Sequence, residues 1–150
     1  MANNISFRSF LPSDKEDCLR IFEENCPKYF ATNEREDYAE FLDSDPQGYE
    51  VCFLNGELVG AYGLSGKTQA FHSLNWILIS PKAQGMKIGH EFMSRAIDRA
   101  KRLNVPQIKI AASHLSAPFF AKYSAVELNY IPDGWGKDMH RIDMELNLPK

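Results

Sequence analysis

The dipeptide Asn55-Gly56 stands between two β-prone runs, Tyr49 to Leu54 and Glu57 to Leu64, and commits this stretch to an antiparallel hairpin. The favoured two-residue turn needs positive φ at both central positions, which Asn and Gly tolerate best. Polar residues from Ser65 to Gln69 make a further turn, after which Phe71 to Ser80 is a long, nearly continuous strand ending at Pro81. Ile88, Phe92, Met93, Ala96, Ile97, Ala100 and Leu103 then recur at helical spacing. Lys101 and Arg102 fall in the last turn, where cations suit the helix dipole. Asn104 and Pro106 close this helix, and Ile108 and Ile110 form a short strand beyond it. Hairpins followed by a strand-helix-strand crossover require a mixed sheet.

The flanking segments extend the pattern. Ile5, Phe7 and Phe10 alternate as in a strand, and Ser13 with Glu16 reads as a capping box. The helix it starts carries Leu19, Phe22 and Cys26 on one side and stops at Pro27. A second helix begins after Thr32 or Asn33, buries Tyr38, Phe41 and Leu42, and ends at Asp43-Ser44-Asp45-Pro46. Downstream come a short helix from Ala117 to Tyr123, with Pro118 tolerated in its first turn, and a strand from Val126 to Ile131. In the tail, His140, Ile142, Met144, Leu146 and Leu148 share one face, as a half-buried antiparallel strand requires. The predicted order is β-α-α-β-β-β-α-β-α-β-β. It defines an α/β (α+β) chain with a mixed, mostly antiparallel sheet of six to seven strands and helices on both faces. A length of 150 residues fits a single domain over 1–150.

Composition removes several function classes. The formal net charge of -3 argues against phosphate-backbone binding, so no nucleic acid partner is expected. No apolar run approaches the roughly 20 residues that cross a bilayer, and Met1 to Phe10 lacks a basic segment followed by an apolar one. A cytoplasmic protein with no membrane partner is the expectation. Cys18, Cys26 and Cys52 are odd in number without Cys-x-x-Cys spacing, and none of the four histidines has ligand spacing, so neither disulfide nor metal is expected.

Two segments compete as phosphate cradles. Ala61 to Thr68, ending in Gly66-Lys67-Thr68, fits a relaxed P-loop expression, the mark of a nucleotide-binding protein. A working P-loop must run at once into a helix, and Gln69 onward is strand-like. Gln84-Gly85-Met86-Lys87-Ile88-Gly89 instead lies between the long strand and the best helix. Glycines let backbone N–H groups approach a ligand closely, and the unpaired donors of a helix start suit a pyrophosphate. A tight turn in which the glycines merely relieve crowding is the competing explanation.

At this turn, and in the order of elements along almost the whole chain, the sequence resembles the GNAT acetyltransferase superfamily. Its signature there is Gln/Arg-x-x-Gly-x-Gly/Ala. Gln84 and Gly89 match the ends, Gly85 and Ile88 fit the usual filling, and Lys87 replaces the middle glycine. Ala117-Pro118-Phe119-Phe120-Ala121-Lys122 resembles the family's Ala-x-x-Phe-Tyr-x-Lys. The resemblance implies the acyl-CoA N-acyltransferase fold, with a splayed central strand pair formed by Phe71 to Ser80 and Gln107 to Ala112. It implies acetyl-CoA as cosubstrate, with the pantetheine arm between those strands and backbone groups of Ile77, Leu78 and Ile79 polarising the thioester. The pyrophosphate would rest on Gln84, Gly85, Met86, Lys87, Ile88, Gly89 and His90, and His114, Ala117 and Phe120 would complete the CoA site.

The implied reaction is acetyl transfer to a primary amine, of a small molecule in preference to a peptide, by direct attack in a ternary complex. An alkyl ammonium of pKa about 10.4 must first lose a proton. The long strand offers His72, Ser73 and Asn75 but no carboxylate, and a water relay through Ser73 and Asn75 is preferred to direct action by His72. In a regular strand Ser73 and Asn75 share a face with Ile77 and Ile79. The family's Tyr that protonates the leaving thiolate is here Phe120, and Tyr123, three residues on, is the substitute. Trp135 with Asp133 and Asp138, in a loop from Asp133 to Asp138, is the expected acceptor wall, faced by Tyr29 and Phe30. The missing Tyr also leaves open a CoA-binding module without turnover, and a homodimer is equally left open.

Overall fold

The computed structural model describes residues 4–26 and 31–149. Strand β1 (Ile5–Ser9) leads through a 3-10 turn at Pro12–Asp14 into α1 (Lys15–Glu24). A second 3-10 turn, Thr32–Glu34, opens α2 (Arg35–Asp43), followed by β2 (Tyr49–Leu54), β3 (Glu57–Ser65) and β4 (His72–Ile79). A third, Pro81–Ala83, precedes α3 (Ile88–Arg102), and β5 (Gln107–Ser113), α4 (Ala117–Ala121), β6 (Val126–Gly136) and β7 (Met139–Asn147) complete the chain. The element order is the one expected.

The strands form one seven-stranded sheet in the order β1-β2-β3-β4-β5-β7-β6, antiparallel throughout except between β4 and β5. Its two faces bury separate apolar clusters. Helix α3 lays Phe92, Met93 and Ala96 against Tyr62, Ile108 and Met144, while α1 and α2 lay Phe22, Tyr38 and Leu42 against Tyr49, Val51 and Leu78. The helical repeat of α3 and the alternation of β7 thus meet on one face, as their patterns require.

Two irregularities shape the middle of the sheet. Ala61 pairs with Leu78 but Gly63 pairs with Asn75, so Tyr62 alone stands opposite both Trp76 and Ile77. This is a β-bulge, and Trp76 adopts φ 36 within it. The bulge exchanges the faces: Leu74, Ile77 and Ile79 join the α3 cluster, whereas Trp76 and Leu78 join the α1/α2 cluster. The expectation that Ser73 and Asn75 share a face with Ile77 and Ile79 holds only for a regular strand and fails here. Tyr49 Oη donates to the Trp76 carbonyl at 2.7 Å and accepts from Tyr38 Oη at 2.8 Å, which fixes the bulged peptide from the α2 side. The second irregularity is that β4 and β5 pair only at His72↔Ile108 and Ser73↔Lys109 before they separate. Each continues to pair with its other neighbour, β4 as far as Gly60↔Ile79 and β5 as far as Ser113↔Arg141, so a wedge opens between two intact half-sheets.

Two local expectations are corrected. The Ser13–Glu16 capping box does not form: α1 begins at Lys15 without a side-chain cap, and the Asp14 carboxylate instead accepts Leu11 N–H at 2.9 Å and Arg8 Nη1 at 2.7 Å. Strand β6 runs through Asp133 to Gly136, so the anticipated loop shrinks to a turn at Lys137 and Asp138.

Candidate functional site

The wedge between β4 and β5 is the mouth of a cavity of about 1090 Å³. Its walls are β4 from Ser73 to Ile79, β5 from Lys109 to Ser113, the start of α3 and one side of α4. Past Ser73 the edges that these strands turn toward each other carry no ladder between them. They present main-chain donors and acceptors to whatever lies in the gap.

At one end the cavity meets the turn into α3. Gly85 has φ 83 and Lys87 has φ 63 with ψ 23, both left-handed. Lys87 therefore keeps the backbone shape that a glycine takes freely, at the cost of crowding its own Cβ. No side chain caps α3, and the backbone N–H groups from Gly85 to His90 have no acceptor among the described residues. Those donors, with the helix dipole behind them and the Lys87 ammonium beside them, make an anion cradle. Gly89 is needed for close approach: a Cβ there would stand 3.0 Å from the Phe119 ring and 3.4 Å from Ile79. Met86 does not line the cavity; it packs on the α3 cluster, while Gln84, Gly85, Lys87, Ile88, Gly89 and His90 do line it.

The other anticipated residues divide. Ser73 and Asn75 line the cavity, with Asn75 Nδ2 held by Ser65 Oγ at 2.6 Å. His72 does not: it sits where β4 and β5 are still paired, and its Nδ1 is buried without a hydrogen-bond partner among the described residues. Phe120, buried, lines the cavity, but Ala117 is only a core contact. His114 also lies outside the cavity lining. Its Nδ1 accepts the His140 N–H at 3.2 Å and its own N–H donates to the His140 carbonyl at 3.0 Å, so it staples the end of β5 to β7. Tyr123 lines the cavity, and its hydroxyl is bonded to His90 Nδ1 at 2.9 Å, in the first turn of α3. Burial raises the Tyr123 phenol above its ordinary value.

On the acceptor side Trp135 does border the cavity, its Nε1–H held by the Ala112 carbonyl at 3.0 Å. Asp133 does not. Its carboxylate closes its own turn by accepting Asp138 N–H at 2.7 Å, and neither Asp133 nor Asp138 lines the cavity. Tyr29 and Phe30 lie outside the described residues. Sequence reasoning missed Asn25, Glu34, Arg141 and Asp143, all of which line the cavity. Glu34 looks like any acidic residue at a helix start, and Arg141 and Asp143 look like the solvated face of an alternating strand. Among the described residues no cluster of His, Cys, Asp and Glu can hold a metal ion, and no helix is long and apolar enough to cross a membrane.

Residues 18–124 match the model of the Acetyltransferase (GNAT) family. No curated protein matches the chain. Among solved structures, Ard1 from Thermoplasma volcanium superposes with a TM-score of 0.81 at 16% identity, over 97% of this chain and 99% of that one. A GNAT superfamily phosphinothricin acetyltransferase from Sinorhizobium meliloti, in complex with AcCoA, gives 0.75 at 19% identity, over 96% and 88%. Rv2747 from Mycobacterium tuberculosis, in a complex that includes CoA, gives 0.72 at 16% identity, over 96% and 99%. At these identities the likeness is one of fold.

Proposed function

The chain belongs to the GNAT acetyltransferase family, and on that premise we propose that it moves an acetyl group from acetyl-CoA to a primary amine of a small molecule within a ternary complex. One observation carries the reading: the wedge between β4 and β5 opens directly onto the unpaired N–H groups of the turn into α3. Two of the structural neighbours were solved with AcCoA or CoA, which supports the same ligand for this cavity.

The chain's own groups divide the work. The N–H groups from Gly85 to His90, with Lys87, bind the diphosphate. The unpaired edge of β4 holds the pantetheine arm as an added strand would be held, and backbone N–H donors near Ile77 to Ile79 draw charge onto the thioester oxygen as the amine attacks. Ser73 and Asn75 order water on the acceptor side. Phe120 supplies no proton to the departing thiolate, and the Tyr123 hydroxyl, hydrogen-bonded to His90 Nδ1, is the remaining donor on that side of the cavity. Loss of general-acid help costs about 10²- to 10⁴-fold, tolerable for a thiol of pKa about 8.5.

The test is release of free thiol from acetyl-CoA with a panel of primary amines, alongside calorimetric CoA binding. Wild type is expected to bind CoA and acetylate at least one amine. Gly89→Trp fills the space beside Phe119 and should lose CoA, whereas Lys67→Ala should not, because Gly66-Lys67-Thr68 leads into β4 and not into a helix. Tight CoA binding without transfer to any amine would select the second reading, a CoA-binding module, which Phe120 favours.

A further inference from the structure

The acceptor side of the cavity holds a fixed guanidinium, that of Arg141. The lysines in the lining lie elsewhere. Lys87 belongs to the turn into α3, and Lys122 follows α4, whose neighbours Phe119 and Tyr123 pack beside Gly89 and His90. Lys109 stands at the closed end of the wedge, opposite Ser73, with its ammonium 4.2 Å from the centre of the Phe71 ring. Arg141 stands at the open end. The same number of residues up each strand from the His72↔Ile108 pair reaches Ile77 on β4 and Ser113 on β5, and Arg141 pairs with Ser113. Its level along the sheet is therefore that of the β4 peptides proposed to face the thioester.

The neighbours of Arg141 hold it in one pose. Its Nε donates to Asp143 Oδ1 at 2.7 Å, and its guanidinium carbon lies 5.1 Å from the centre of the Trp135 ring. Gly134 makes the room, because a Cβ there would collide with the Arg141 Cβ. Trp135 is itself held from two sides, its Nε1–H by the Ala112 carbonyl at 3.0 Å and its carbonyl by Asn33 Nδ2 at 3.2 Å. Among the described residues neither Nη1 nor Nη2 of Arg141 makes a hydrogen bond or an ion pair. A guanidinium stacked on an indole and anchored through Nε keeps its remaining N–H groups in one plane, the arrangement that grips a planar carboxylate. Asp143 offsets part of the charge, so directed hydrogen bonds matter here more than net charge. The other carboxyl in the lining, Glu34, is pushed above its ordinary value chiefly by burial, which weakens its opposition to an anion.

We propose that Arg141 binds a carboxylate of the acceptor, so that the acceptor is an amino acid and not a plain alkylamine. This rests on the acetyltransferase reading. The amine reaches the thioester near Ile77 while Nη1 and Nη2 hold the carboxylate on the far side of β5, where β7 runs. An amine without a carboxylate leaves those donors to water and gains nothing from them.

Acceptor pairs that differ only by a carboxylate test this: phenylalanine with phenethylamine, lysine with cadaverine, and γ-aminobutyrate with propylamine. Wild type should favour the carboxylate-bearing member of at least one pair about tenfold in kcat/KM, chiefly through KM. Tenfold, roughly, is the lower end for charge-assisted bonding, because the Arg141 side chain is 38% exposed. Arg141→Gln should bring that ratio close to unity, and Arg141→Lys, which keeps the charge but not the planar fork, should leave it in between. A purely structural arginine would lower both members of a pair together and leave the ratio where it was. That result overturns the proposal, as does a wild type without the preference in any pair. The second measurement needs no turnover: millimolar sodium hydrocinnamate, which is phenylalanine without its amine, should raise the wild-type melting temperature above a control with hydrocinnamyl alcohol and sodium chloride, in the free and the CoA-loaded protein. Arg141→Gln should lose that difference, and equal shifts in the two proteins overturn the proposal. Failure of wild type to bind CoA, with the hydrocinnamate shift intact, overturns the transferase reading alone.

Discussion

Replacing Tyr49 by Phe removes one oxygen atom and tests whether the bulge in β4 is held from the α2 side. Tyr49 is 2% exposed and Tyr38 is fully buried. Burial pushes both phenols well above their ordinary values, so both remain protonated donors across the whole neutral range. In Tyr49→Phe the Trp76 carbonyl loses its 2.7 Å donor and Tyr38 Oη loses its 2.8 Å acceptor. A lost hydrogen bond costs about 1 kcal/mol, and a buried hydroxyl deprived of its acceptor about 1 to 3 kcal/mol more. The expected destabilisation is about 2 to 4 kcal/mol, or roughly 5 to 15 °C in melting temperature for a chain of this size. Tyr38→Phe is the control, because Tyr49 then still donates to Trp76 and only about 1 kcal/mol is at stake. Urea unfolding and steady-state acetyl transfer are to be measured on both. Tyr49→Phe should lose activity about tenfold as the peptide beside the proposed thioester site relaxes, and Tyr38→Phe should not. Equal activities in the two variants, or a loss of stability below about 0.5 kcal/mol in Tyr49→Phe, would falsify the assignment of the bulge to this bond.

Lys87→Gly relieves a left-handed residue and should leave stability within about 1 kcal/mol of wild type, while CoA affinity falls about three- to tenfold and becomes less sensitive to salt; calorimetry at two ionic strengths reads both. His114→Ala should cost about 1 kcal/mol of stability yet leave CoA affinity unchanged, because its ring joins β5 to β7 outside the cavity. Burial pushes the Asp14 carboxyl up, but the Arg8 guanidinium and Leu11 N–H outweigh it and hold the carboxyl below its usual value. That contribution is present above the unfolded aspartate value near about 3.9 and is lost as pH falls through the lower folded value. Arg8→Met should therefore be less stable than wild type at neutral pH, with the gap closing below about pH 4 in urea titrations.

The hairpin at Asn55-Gly56, the crossover through α3 and the glycine turn before it were legible because each is enforced by local chemistry: turn dihedrals, helical spacing, unpaired donors. The bulge at Trp76 was not, since a bulky residue at φ 36 follows from strand register and from a distant tyrosine, neither of which leaves a local trace. Moving that one residue changed which of the β4 side chains face which helix layer. His72 was misjudged for a related reason: its place depends on how far up the strands the parallel pairing persists. Glu34 escaped notice because its place on the cavity wall is set by tertiary packing, which leaves no local trace.

Between its outer halves the sheet has a seam of only two backbone rungs. Strands β1 to β4 and strands β5 to β7 are thus two slabs joined edge to edge near His72 and Ser73, with contacts such as that of Asn33 with Trp135 reaching across the open end. A molecule seated along the seam supplies the missing crosslinks itself. Amide exchange in β5 should consequently slow when the gap is filled, so that the protein gains rigidity from the reagent it consumes.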